Sequence, residues 1–312
     1  MFERKVNFAI VLISSFIVLF ILAIEYNAYF GKEIVAERKI QPKEDIQVNE
    51  KYHTVELADE ELFFKAVSDS LKGNISDQAL SIRGGVVPHH LLPSYIIADF
   101  FNHLSQKNIK TVILIGPNHY ERGDFNVLTS EYKWKTPFGS INPNKDIISS
   151  LEKEGVAMSN EDVLGAEHSI AGILPFVKYY LPEVEIVPLI LSKKMTEKDV
   201  DTLSAKLKNF SEVDDVVFVA SVDFSHNLTN FEAKEMDNES LETIQDRNYV
   251  KLFSFGNEHM DSPASIALLL KILNNSQEEN LNVLNNTNSG ELLDDNFLPV
   301  TSYFSLIFSD EN

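Results

Sequence analysis

The sequence predicts an α/β fold: a single domain with a mainly parallel central sheet flanked by helices, preceded by an N-terminal transmembrane helix. Short runs rich in β-branched residues alternate with stretches of helical spacing, which indicates a parallel sheet covered on both faces. Uninterrupted apolar runs such as VVFVAS at 216–221 fit strands that are buried on both sides. A third observation, an uncharged apolar stretch at 7–24, predicts the transmembrane helix.

The apolar stretch at 7–24 is long enough to nearly span a hydrocarbon core of ~30 Å. Arg4 and Lys5 precede it, and no basic residue follows until Lys32. The positive-inside rule then places the N-terminus in the cytoplasm and the main domain outside it. A cleaved signal peptide and a buried core helix are the alternatives.

These patterns divide the chain into four parts. Residues 25–55 are polar and charged without apolar periodicity, which is typical of a linker. The predicted organisation is a cytoplasmic tail at 1–6, a membrane anchor at 7–24, a juxtamembrane linker at 25–55 and the α/β domain at 56–312.

Within the domain, strands and helices alternate along the chain. The predicted strands are Ile82–Val87, Thr111–Ile115, Asn126–Leu128, Glu185–Leu191, Val216–Ser221 and Thr301–Phe308, with a short one at Asn282–Leu284. The predicted helices are Ser94–Gln106, Lys145–Glu154, Ser169–Tyr180, Glu197–Phe210, Asn238–Phe253 and Pro263–Asn274.

Composition excludes several functions. The formal net charge of −20 argues against nucleic acid as a partner, because phosphate binding requires a basic surface. The chain has no cysteine, which excludes disulfides, thiolate metal sites and a cysteine nucleophile together.

Three of the eight histidines follow predicted strands. His89 follows GGVVP, His119 follows VILIGPN, and His226 follows VVFVASVDFS. Ligands of open α/β sheets bind outside the carboxyl ends of the strands, and histidine is the commonest metal ligand. A single histidine of this kind is usually a loop residue, but three of them indicate a shared site.

Two acidic motifs accompany these histidines. Asp223 lies in the same turn as His226, where it can orient the ring, act as an acid or base, or cap the turn. Glu167 and His168 precede an apolar helix, so they either begin that helix or contribute His168 to the site.

Asp261 has two interpretations. It precedes Ser262 and Pro263, and an Asp or Ser before a Pro at the first helical position is a common capping sequence. With His89 and His119 it would instead complete a set of two histidines and one carboxylate, which suits non-haem Fe(II).

Read together, four motifs resemble the Memo family: VPHH at 87–90, IGPNHY at 115–120, EHSIAGILPF at 167–176 and SVDFSH at 221–226. The order and spacing of the four make the resemblance specific, and it covers about residues 80–308. Prokaryotic members are often called AmmeMemoRadiSam system protein B. The resemblance implies a single α/β domain akin to the class III extradiol dioxygenases, with a metal-binding cleft at its strand ends.

The resemblance also implies roles for individual residues. His89 and His119 match family histidines, and Asp261 stands where relatives usually carry a cysteine. From the resemblance we expect His89, His119 and Asp261 to bind a divalent metal, with Fe(II) favoured and Zn, Mn or Cu as other candidates. Asp223 and His226 are expected to support the metal ligands or to act as an acid–base pair, and His168 is expected to line the pocket; these three are the candidate catalytic residues.

Departures from the family pattern lie close to these motifs. His90 and Leu91 replace an Ala-Gly pair, while Ala171 and Ile173 replace a Glu and a Gln. The expected function is that of an exported, membrane-tethered metal-binding protein, whose reaction is that of a metal-dependent oxidoreductase or equally a hydrolytic one; the alternative is a non-catalytic module that binds a peptide or small ligand in the same cleft.

Overall fold

The computed structural model describes residues 51–71, 81–273, 279–295 and 299–310. The strands are β1 Tyr52–Thr54, β2 Ser81–Val87, β3 Thr111–Pro117, β4 Val127–Thr129, β5 Lys133–Thr136, β6 Gly139–Pro143, β7 Met158–Ser159, β8 Glu185–Leu191, β9 Val216–Ser221, β10 His226–Leu228, β11 Glu279–Asn288 and β12 Val300–Asp310. The helices are α1 Glu60–Ser70, α2 Ser94–Leu104, α3 Lys145–Lys153, α4 Glu161–Leu164, α5 His168–Ala171, α6 Leu174–Tyr180, α7 Glu197–Leu207, α8 Asn230–Gln245, α9 Tyr249–Leu252, α10 Pro263–Leu273 and α11 Ser289–Leu293.

One sheet organises these elements, in the order β1-β5-β6-β8-β3-β9-β2-β12-β10, with β11 on β12 and β4 on β8 and β7. The adjacent strands β6, β8, β3, β9 and β2 are all parallel, whereas β12 pairs antiparallel with β2, β10 and β11. The predicted single α/β domain with a mainly parallel central sheet is therefore confirmed. The carboxyl ends of β3, β9 and β2 lie side by side.

The core covers both faces of this sheet. All seven residues of β3 are buried, as the unbroken apolar run predicts. Helix α10 packs on β9 and β2 beside α7, while α2 packs with α1 and α6. Thr196 forms a capping box with Asp199 at the start of α7, which satisfies backbone donors that a helix start leaves free.

The predicted N-terminal transmembrane helix is the part of the fold prediction that is wrong. Within the described residues no helix is long and apolar enough to cross a membrane. The longest of them, α8, has 16 residues, or about 24 Å at 1.5 Å per residue, which falls short of a ~30 Å hydrocarbon core. The segment 7–24 itself lies outside the described residues. Membrane attachment and the single-pass topology with an external main domain rest on that helix and are withdrawn with it.

Several element boundaries also differ from the prediction, including the helix predicted over 238–253, which is α8 and α9. The helix predicted over 169–180 divides into α5 and α6 around Gly172, with Pro175 in the first turn of α6, because proline is accommodated best at a helix start. The short strand predicted at 282–284 is the ten-residue β11. Strand β1 falls within the segment interpreted as a linker, and it pairs with β5.

Substitution of Gly85 tests how closely the sheet packs around this position. It pairs with Val219 of β9 and with Ile307 of β12, and a Cβ there would overlap the Phe100 ring and the Leu306 carbonyl oxygen. We expect Gly85→Ala to lower the free energy of unfolding by about 1–3 kcal/mol, measured by urea denaturation.

Gly256→Ala is the matched control for this prediction. Its added Cβ would meet only the carboxylate end of Glu258, an exposed side chain that can move aside. We expect a change below about 1 kcal/mol. An equal decrease in the free energy of unfolding for Gly85→Ala and Gly256→Ala would contradict the close packing at Gly85.

Candidate metal centre

The side chains predicted to form a site follow adjacent strands of the sheet. His89 lies two residues after β2, His119 two residues after β3, and Asp223 two residues after β9. Asp261 precedes α10 and is brought to the same edge by an antiparallel bridge between Met260 and Phe224. The backbone N–H of Asp261 donates to the Asp223 carbonyl at 3.0 Å, so the two carboxylates start from neighbouring backbone positions.

His89 is buried and held by its Nδ1 atom. This atom lies 3.2 Å from Ser221 Oγ, and the Ser221 hydroxyl donates its only proton to the Ser169 carbonyl at 2.6 Å. Ser221 can therefore only accept from His89, which keeps a proton on Nδ1. The neutral ring is left with a free lone pair on Nε2, the atom that faces Asp261 and Asp223 at 3.2 and 3.6 Å.

His119 is held in the same way by Glu167. Its Nδ1 lies 2.8 Å from Glu167 Oε1, and its backbone N–H donates to Oε2 at 2.9 Å. Glu167 is almost fully buried and also accepts the Ser169 N–H at 3.0 Å. A carboxylate bonded to Nδ1 orients the ring and makes Nε2 a better ligand. Nε2 lies 3.5 Å from Asp261 Oδ2.

The Asp261 carboxylate lies between the two imidazoles. Its Oδ2 atom makes both of the contacts described above and also lies 3.4 Å from the Asp223 N–H. Its Oδ1 atom is buried without a hydrogen-bond partner, which is costly for a charged group unless a cation compensates. The capping role belongs to Ser262, whose Oγ accepts the Ser265 N–H at 3.4 Å.

Asp223 joins the turn after β2 to the turn after β9. Its Oδ1 accepts the backbone N–H groups of His89 and His90 at 3.1 and 3.4 Å. Its Oδ2 faces His89. The carboxylate therefore fixes the backbone that carries His89 and adds negative charge beside its ring.

His168 forms the open side of the cluster. Its ring stacks on His119 with a centroid distance of 4.1 Å and an interplanar angle of 23°, and its side chain is about half exposed. Nδ1 lies 3.3 Å from Glu167 Oε1. Burial lowers the pKa of His168, and the positive charges of His119 and His89 lower it further, so the ring is neutral at neutral pH.

The pKa values of His119 and His89 are raised, whereas the pKa of His168 is lowered. Burial would lower the pKa of His119, but its hydrogen bonds to Asp261 and Glu167 and their charges raise it from 6.5 to about 9. Burial likewise opposes a charge on His89, but Asp223 and Asp261 raise its pKa above 6.5. Burial would raise the pKa of Asp261, yet the charge of His89 and the hydrogen bonds of both rings hold it well below 3.8.

The described side chains provide two groups of donors that could hold a metal ion. One comprises His89, His119 and His168, and the other comprises His89, Asp223 and Asp261; within each, the ligand atoms lie within 4.8 Å of one another. His89 belongs to both groups, His119 to the first and Asp261 to the second. The predicted trio of these residues therefore combines the two groups, and Asp261 Oδ2 lies close to Nε2 of both histidines.

His226 belongs to neither group. It begins β10, where its backbone N–H donates to the Asn257 carbonyl at 2.9 Å and it pairs with Thr301 of β12. Its Nδ1 atom is buried without a hydrogen-bond partner. His226 follows Asp223 by three residues in the sequence. Its backbone position is set by the antiparallel pairing of β10 with β12, whereas the cluster residues follow the parallel strands.

Sequence reasoning missed the residues that support the cluster from behind. Ser221 and Ser169 link the ends of β9 and β3, since the Ser169 hydroxyl donates to the Pro117 carbonyl at 2.9 Å. Gly116 permits this contact, because a Cβ there would lie 2.7 Å from Ser169 Oγ. Glycine before the Pro-Asn-His turn is the sequence signal that could have pointed to this packing.

The raised pKa of His119 predicts a pH-dependent stability for the chelator-treated protein. Below pH 6.5 the ring is charged in both the folded and the unfolded chain, and its ion pairs stabilise the fold fully. As pH rises through about 9 the folded protein loses its proton and this stabilisation disappears. We expect the Tm to fall between pH 6.5 and 9.5, and to fall less in His119→Gln.

NMR titration of the histidine ring protons provides the direct measurement. Glu167→Gln removes one of the two carboxylates that raise the pKa of His119, so the titration of this ring should move toward 6.5. His103→Gln, which changes a ring outside the cluster, should leave it unchanged. A His119 ring that titrates near 6.5 in the parent would contradict the ion-pair geometry.

The chain is similar to proteins of one family. The model of the Memo-like protein family matches residues 35–307. MEMO1 family proteins of Sulfurisphaera tokodaii and Sulfolobus acidocaldarius are each 28% identical, over 72% of this chain and 82% of the relative. A third, from Saccharolobus solfataricus, is 27% identical over 54% of this chain and 62% of its own length.

Among solved structures, an uncharacterized protein from Escherichia coli K12 aligns with a TM-score of 0.46 at 11% identity, over 71% of this chain and 98% of that one. This likeness is too low to carry an argument. The family match extends over most of the sequence, including every strand end that carries a cluster residue. The chain therefore belongs to the Memo-like protein family.

Proposed function

We propose that this protein is a metal-dependent oxidoreductase in which His89, His119 and Asp261 hold one divalent ion, with Fe(II) favoured. The observation that carries the proposal is the position of Asp261 Oδ2, 3.2 Å from His89 Nε2 and 3.5 Å from His119 Nε2. Three donors from separate chain segments thus face one point at the strand ends, where α/β sheets bind ligands.

The donors fit a metal ion in two further respects. The buried Asp261 Oδ1 has no hydrogen-bond partner, and a cation would compensate it. The Nδ1 atoms of His89 and His119 are bonded to Ser221 and Glu167, so each neutral ring offers its Nε2 lone pair. This arrangement is usual behind metal-binding histidines.

The chemistry of the donors favours iron over softer ions. Two imidazoles and one carboxylate, with open positions, suit non-haem Fe(II), whereas thiolates would favour Cu(I) or zinc. Zn, Mn or Cu are the other candidates for this set. The bound ion would supply Lewis-acid and redox chemistry toward O₂ and a substrate at those open positions.

The surrounding side chains would handle protons. His168 is half exposed and has a lowered pKa, so its neutral ring can accept a proton from a substrate at the mouth of the cluster. Asp223 holds the His89 turn and presents Oδ2 to the interior. We assign no proton transfer to His226, because its backbone is held in β10 by Asn257 and Thr301, outside both groups of donors.

Metal titration of Asp261 variants tests the proposal. Asp261→Ala should weaken Mn(II) and Fe(II) binding by more than about 100-fold, because loss of a direct ligand should cost at least as much as loss of a supporting hydrogen bond. Asp261→Cys should raise the affinity for Cu(I), since a thiolate is a soft donor. Anaerobic calorimetry on the full chain provides the affinities, and thermal melts monitor the fold.

Asp215→Ala is the matched control, since Asp215 forms an ion pair with Lys110 at 3.2 Å outside the cluster. Because Ser262 caps α10, loss of Asp261 should not release this helix. Unchanged Fe(II) and Mn(II) affinity in Asp261→Ala would refute the ligand assignment. Metal binding with no oxidative turnover on any substrate would favour the ligand-binding alternative.

A further inference from the structure

The loop after β3 places the cationic side chain of Arg122 next to Tyr120, near the open side of the cluster. The Tyr120 ring is 58% exposed and lies 6.5 Å from the His168 ring, between centroids. The guanidinium carbon of Arg122 lies 5.1 Å from the centroid of the Tyr120 ring. An arginine packed on an aromatic face keeps its N–H edges free for other acceptors.

The backbone of Arg122 is held by a buried side chain. Asn118 accepts the Arg122 N–H through Oδ1 at 3.2 Å and donates from Nδ2 to the Arg122 carbonyl at 2.7 Å. The backbone N–H of Asn118 in turn donates to the Leu191 carbonyl at the end of β8. The loop is therefore tied to the sheet at the residue before His119.

Glu121, the acidic neighbour of Arg122, is occupied elsewhere. Its Oε2 accepts the Ser192 hydroxyl at 2.7 Å and its Oε1 accepts the Lys193 N–H at 2.7 Å. Its φ of 49° lies in the left-handed region, which costs a non-glycine residue about 1 kcal/mol or more. Strain of this kind persists where the surrounding contacts require it.

Arg122 has no acidic partner among the described residues, since none of their carboxylates lies within 4.0 Å of its guanidinium nitrogens. The chain carries 47 acidic and 27 basic residues, so an exposed arginine without a carboxylate is unexpected. The Tyr120 ring separates this charge from the His168 ring of the cluster, since it lies 5.1 Å from the Arg122 guanidinium carbon and 6.5 Å from the His168 ring.

We infer that Tyr120 and Arg122 form a subsite at the mouth of the cleft, next to His168, that binds a carboxylate group of a small substrate. The guanidinium fork matches a carboxylate in a bidentate pair. The inference rests on the proposed function, because the other end of the substrate would reach the ion held by His89, His119 and Asp261. The substrate class is thus a metal-chelating small molecule that carries a remote carboxylate.

Chelating probes of graded length test the subsite. We would use alkyl monohydroxamates ending in a carboxylate, each compared with its methyl ester, on full-length protein loaded with Mn(II). For the chain length that spans the two points, the acid should bind about tenfold more tightly than the ester, as expected for a hydrogen-bonded charge pair. Calorimetry measures both affinities.

Arg122→Gln should abolish the preference for the acid and leave the affinity for the ester unchanged. Lys193→Gln, which removes an exposed cation from the adjoining loop, should retain the preference. Equal affinity for acid and ester at every length in the parent, or a preference that survives in Arg122→Gln, would overturn the inference while the metal site stands.

A second measurement keeps the two proposals separate. If the protein takes up no Mn(II), the proposed function fails, and the metal-free chain is titrated with glutarate under NMR observation. Saturable shifts of Tyr120 and His168 that are lost in Arg122→Gln would support the subsite. Their absence in the parent would refute it.

Discussion

The Asp261 carboxylate between two imidazoles is the interaction on which the rest of the site depends. Glu167, Asp223 and Asp261 are all buried, each contacts His89 or His119, and buried charges are tolerated only when they are paired. In the metal-free protein the pairing comes from His89 and His119, whose pKa values are raised. A divalent ion would take over this role and release protons, which couples metal binding to pH.

The fold supplies the rigidity that such a cluster needs. The parallel strands β3, β9 and β2 end side by side, and the turns that follow them are joined by serine hydroxyls rather than by apolar contacts alone. Ser169 donates to the end of β3 and accepts from Ser221 at the end of β9. Ser221 then fixes His89, so the same chain of hydrogen bonds that joins the strands also sets the tautomer of the His89 ring.

The sequence predicted those features that depend on periodicity and on position after a strand. His89, His119 and Asp223 follow buried apolar runs, and the sheet brings them together. Asp261 was ambiguous because Asp-Ser-Pro offers two caps. Ser262 Oγ accepts the Ser265 N–H, and the long-range bridge between Phe224 and Met260 brings Asp261 to the histidines. His226 could not be placed, since its path follows the antiparallel pairing with β12 rather than the parallel strands.

The charge of the whole chain and the charge of the cleft act at different distances. A net charge of −20 repels polyanions, which must approach over a large surface. Salt screens this field within about 8–10 Å, so a small anion that has entered the cleft responds mainly to the groups beside it. There the neighbours are His119 and His168, with Arg122 on the far side of their neighbour Tyr120, within contact distance of its ring. The net charge of the chain is therefore compatible with the proposed binding of a small carboxylate at this site.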